Sequence, residues 1–152
     1  MTTASDALEA VKTRLGAGSG ISFPLYWEGE DAPTLSDTPA PFAFIVFTNE
    51  GSGKSGPVAY GGGRGRNTYR NSALVEAYTF VPKGWGRQEL IDRAEIIASR
   101  LRSFRDEDIS CFNADVVPIG EGEALAPPGL ASEVNQYQCA VAEIALQFDQ
   151  IG

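Results

Sequence analysis

Histidine is absent from the 152-residue chain. That removes histidine-based catalytic triads, histidine metal ligands and the side chain that usually moves protons near neutral pH. Cysteine is scarce: Cys111 and Cys139 stand far apart without CxxC spacing, so they read as small buried apolar residues of a reducing cytosol and not as a redox or metal pair. No apolar run approaches the roughly 18 to 20 residues of a membrane-spanning helix. The opening MTTASDALEA has neither the basic start nor the apolar centre of a signal peptide, and the expectation is a soluble cytosolic protein with no membrane association. Positive charge is in deficit as well, with 12 Lys+Arg against 20 Asp+Glu and a net charge of −8. A chain so charged is repelled by DNA backbones and anionic lipid, and binding either would need a local exception.

What is present is globular. Hydrophobic residues at 43% and charged residues at 21% exclude collagen, coiled coil and wholesale disorder, and the length suits one domain, taken as residues 1–152, that needs no disulfide or metal to hold its core. Ala4, Leu8, Val11 and Leu15 recur at helical spacing with Thr3 or Ser5 to cap and Gly16 to stop, predicting a helix over 4–15. Ile21, Phe23, Leu25 and Trp27 alternate as a strand that Pro24 confines to an edge or bulge. PFAFIVFTNE, at 41–50, is a continuous apolar run, the pattern of a strand covered on both faces or at a subunit contact.

NSALVEAYTFV, at 71–81, alternates strictly: Leu74, Glu76, Tyr78 and Phe80 share one face, Ala73, Val75, Ala77, Thr79 and Val81 the other. It pairs naturally with 42–49. Leu90, Ala94, Ile97, Leu101 and Phe104 form an amphipathic stripe for a second helix with a solvated charged face. Residues 109–119 read as a strand, and so does QYQCAVAEIALQFDQ, where the alternation of Ala140, Ala142, Ile144, Leu146 and Phe148 outweighs its alanines. With no repeated βα unit, the class is α+β: a mainly antiparallel sheet with a long β-hairpin and two helices packed on one face.

Between the two pairing strands, residues 51–67 read GSGKSGPVAYGGGRGRN, too rich in glycine for the interior of an element. The segment is expected to be a flexible hairpin tip. It satisfies three phosphate-loop patterns in part, and its neighbours defeat each one. Gly53-Lys54-Ser55 offers a P-loop's lysine and serine, but Thr48 stands in place of the first glycine. Gly51, Gly53 and Gly56 fit GxGxxG, yet Pro57 and the glycines that follow bar the helix whose N-terminus must face the phosphates. A kinase glycine loop fails for want of length and of a catalytic histidine. No catalytic, cofactor-binding or metal-binding residue is assigned, and the expectation is a protein that is not an enzyme.

One property of this region survives: Lys54, Arg64, Arg66 and Arg70 give residues 54–70 a charge of +4 with no acid, leaving −12 on the rest of the −8 chain. A basic loop on an acidic body can meet a phosphate backbone or an acidic protein surface, with Tyr60 and Tyr69 able to stack or pack. The candidate partner or DNA contacts are therefore Lys54, Tyr60, Arg64, Arg66, Tyr69 and Arg70. The acidic groups Glu28-Gly29-Glu30-Asp31, Asp106-Glu107-Asp108 and Glu121-Gly122-Glu123 lack EF-hand spacing or a neighbouring nucleophile and read as solvated loop charge. Trp27 and Trp85 flank loops, as core or interface residues.

The series of a short N-terminal helix, the strand in PFAFIVF, a hairpin to ALVEAYTFVPKG, the helix ELIDRAEIIASRLRSF and the final strand in QCAVAEIALQF resembles the tail terminator proteins of long-tailed phages and gene transfer agents. In that family a strand ending in a Phe-x-Pro-like turn leads into a helix packed on the sheet, as Phe80-Val81-Pro82 does before Leu90. The likeness runs from about residue 4 to 150 and lies in element order and apolar pattern. It implies a virion protein of the tail or neck, assembled in the bacterial cytoplasm. Such a protein forms a homo-oligomer, a hexameric ring, that caps the tail tube protein, stops its polymerisation and meets the head-tail connector. DNA passes through the acidic bore without specific binding. A head-tail completion protein of similar fold and a nucleic-acid-binding accessory protein are the alternatives.

Overall fold

The computed structural model describes residues 3–16, 18–30, 39–51, 59–60, 68–121 and 137–151. The first helix, α1 (Ala4–Leu15), begins at a capping box: the Thr3 hydroxyl accepts from the Asp6 N–H while the Asp6 carboxylate accepts from the Thr3 N–H. The Thr3 N–H and the Thr3 hydroxyl both donate to this carboxylate and hold the Asp6 carboxyl below its usual range. The inward stripe is Ala7, Val11 and Leu15, so it is turned slightly from the expected one. Leu8 is half-buried in a small groove with Trp27, Ile45 and Phe47.

The edge strand β1 is short, Leu25–Trp27, and Ile21 to Pro24 stay outside it. It runs parallel to β2 (Phe42–Gly51). The two-residue β3 (Ala59–Tyr60) and β4 (Thr68–Pro82) follow. Then come α2 (Arg87–Leu101), β5 (Ser110–Glu121) and β6 (Tyr137–Ile151). The strand order is β1-β2-β4-β6-β5, and every pairing except β1 with β2 is antiparallel. The architecture is therefore α+β, and the alternation in 137–151 does make a strand.

β4 is the spine of the sheet. It pairs with β6 in unbroken register from Thr68↔Ile151 to Pro82↔Tyr137. Its other side meets β2 from Phe42↔Phe80 to Gly51↔Ser72 and β3 at Ala59↔Tyr69 and Tyr60↔Thr68. Two residues expected in a glycine-rich tip are thus strand, because Ala59 and Tyr60 belong to the longest glycine-free run between Gly56 and Gly61 and a partner edge lies beside them. Apart from them and Gly51, the expected tip at 51–67 lies outside the described residues.

The even register separates two faces. On the first, Ala43 and Ile45 of β2, Ala73, Val75 and Ala77 of β4, and Ala142, Ile144 and Leu146 of β6 join one core with Ala7, Val11 and Leu15 of α1 and Ile97, Ala98 and Leu101 of α2. Small alanines at the strand crossings let the helical leucines and isoleucines approach the sheet. On the second face, Phe42, Phe44, Phe80, Tyr137 and Cys139 form a separate aromatic cluster at one end, with Phe42 and Phe80 stacked at 4.8 Å.

The turn from β4 into α2 depends on Gly84 and Gly86, at φ 98° and 93°, a left-handed backbone that side chains disfavour. α2 ends at Leu101 and does not reach Phe104 as the apolar spacing predicts. Ser103, at φ 56°, reverses the chain so that its N–H donates to the Phe112 carbonyl at 3.0 Å. Phe104 packs on the core beneath the Arg14 guanidinium, 4.3 Å from its ring centroid.

Candidate interaction surface

The second face of the sheet carries the chemistry. Its positions along β4 are Arg70, Ser72, Leu74, Glu76, Tyr78 and Phe80, the face set that alternation predicts extended back by two pairs. Register then decides what stands beside them. Glu76 lies directly opposite Glu143 of β6, and Glu143 directly opposite Asp115 of β5. Three carboxylates therefore form a row across three neighbouring strands, with Val46 of β2 continuing it beside Glu76.

Each member is held differently. Glu76 accepts a hydrogen bond from the Tyr78 hydroxyl at 3.2 Å. Burial, followed by the Glu76 charge and this hydrogen bond, pushes the Tyr78 phenol up to about 12. Asp115 accepts from the Asn113 amide at 3.1 Å. Glu143 is exposed and makes no hydrogen bond or ion pair among the described residues. Val117, next to Asp115 on the same face of β5, is 47% exposed.

Of the six candidate contacts, the structure places Arg70 most fully. Its guanidinium grips the Asp149 carboxylate across the β4–β6 pair through two hydrogen bonds, 2.9 and 3.1 Å. That partner holds the Asp149 carboxyl below its usual range. One of the four charges counted on the basic segment is therefore compensated from the last strand. Tyr60 lies in β3 opposite Thr68, and Tyr69 lies in β4 opposite Ala59, so the register does not pair the two tyrosines. Lys54, Arg64 and Arg66 lie outside the described residues.

Beside the Arg70–Asp149 pair opens a cavity of about 420 Å³ whose walls include Arg105, Asp106 and Phe112. Asp106 acts here as a turn-former, its Oδ1 accepting from the N–H groups of Asp108 and Ile109 at 2.7 and 2.9 Å. Glu30, in another expected acidic loop, is ion-paired with Lys12 of α1. Trp85, at the β4–α2 turn, is 50% exposed beneath Arg93, while Trp27 is half-buried.

The cysteines occupy opposite faces, Cys111 in the helix-side core and Cys139 in the aromatic cluster. Burial raises their thiols to about 11 and about 12, which keeps both protonated at neutral pH. Among the described residues no cluster of three or more His, Cys, Asp or Glu converges on a point that could hold a metal, and no helix is long and apolar enough to cross a membrane.

No protein-family model matches the chain, and no curated protein sequence does. It is similar to a solved structure, of a protein whose name describes no function, over 97% of this chain and 96% of that one, at 11% identity and a TM-score of 0.56. At that identity the likeness is one of fold, and it spans both chains nearly end to end.

The carboxylate row escaped sequence reasoning. Glu76 was legible as a member of the Leu74–Phe80 face, but nothing local to Glu143 or Asp115 says that they stand beside it.

Proposed function

We propose that this chain is a structural protein of a phage-type tail, a terminator that assembles into a ring, caps the tail tube, halts its growth and presents a face to the head connector. The second sheet face carries the reading. Both helices contribute to the core on the first face, while the second carries an aromatic cluster, an exposed valine and a row of carboxylates. Such a surface suits a protein partner better than a small substrate. The excess of acid over base, 20 against 12, suits a ring wall past which DNA slides without being held. Its place is the virion, reached by assembly in the host cytoplasm, and it needs no catalysis.

The deciding experiment is sedimentation of the purified chain over a wide concentration range, with electron imaging of the large species. A six-fold ring is expected. A monomer at every concentration overturns the reading. A ring that binds isolated connectors and ignores tail tubes transfers the protein to the head-completion class.

A further inference from the structure

We draw no further inference here: the strongest candidate, the cavity of about 420 Å³ between the Arg70–Asp149 pair and the turn at Asp106 and Asp108, is walled by arginines and carboxylates together, and nothing in the structure shows what fills it.

Discussion

Glu76 and Glu143 face each other across the β4–β6 pair, in the middle of the longest unbroken ladder of the sheet. Like charges placed directly opposite one another on neighbouring strands repel, which is a cost to the folded chain. Replacing Glu143 by Gln keeps the shape and deletes the central charge of the row. The expected gain is about 0.2 to 1 kcal/mol, read as a higher urea midpoint with an unchanged slope. It should shrink in about 0.5 M salt, where exposed charges are screened. A lower midpoint for the variant would show that the row is not repulsive.

Asp149 is the opposite case, an acid whose charge is welcomed. Its carboxyl is held below the usual range by Arg70, so its contribution to stability is present above the ordinary carboxylate value of about 3.9 and is lost as pH falls through the lowered one. Both side chains are 42% exposed, and solvent screening limits the pair to about 1 kcal/mol or less. Asp149→Asn should therefore lower stability modestly at pH 7. The gap between variant and wild type should close in strong acid, measured as paired denaturant midpoints at each pH.

Thr79 is fully buried on the helix side of β4, and its hydroxyl has no hydrogen-bond partner among the described residues. An orphaned buried hydroxyl costs free energy that an apolar group of the same shape does not. Thr79→Val should raise stability by about 1 kcal/mol, which for a chain of this size is about 2 to 4 °C in Tm. Thr79→Ser, which keeps the hydroxyl and removes the methyl, should lower it. Calorimetry on the two variants separates the terms, and a loss with valine would reveal a partner for the hydroxyl.

Much of the fold was legible because its signals are local. The Thr3 cap and Gly16 stop enclose α1 at the expected residues, and alternation in 71–81 assigned each side chain of β4 to its face. Three local readings were altered by tertiary contacts. Leu8 yields the innermost position to Ala7, because a residue without bulk sits where α1 approaches the core. Phe104 leaves the helical stripe because Ser103 turns left-handed to let the chain return as β5. Ala59 and Tyr60, amid glycines, become strand because β4 runs beyond β2 and leaves an edge beside them.

The candidate site divides along the same line. Composition and pattern by themselves determined the acidic excess, the basic segment with Arg64 and Arg66, the two helices and the two-faced β4. Those properties depend on residue type and on neighbours within a few positions. Only the tertiary structure decided that Arg70 belongs to Asp149, 79 residues away, and that Glu76, Glu143 and Asp115 stand in one row. Strand order and register place them there, and a shift of one residue in either pairing would turn each partner to the opposite face. The free energy that selects this register comes from the buried alanines, valines and isoleucines of the first face together with the aromatic cluster at one end of the second, and the charges on the second face follow where those cores put them.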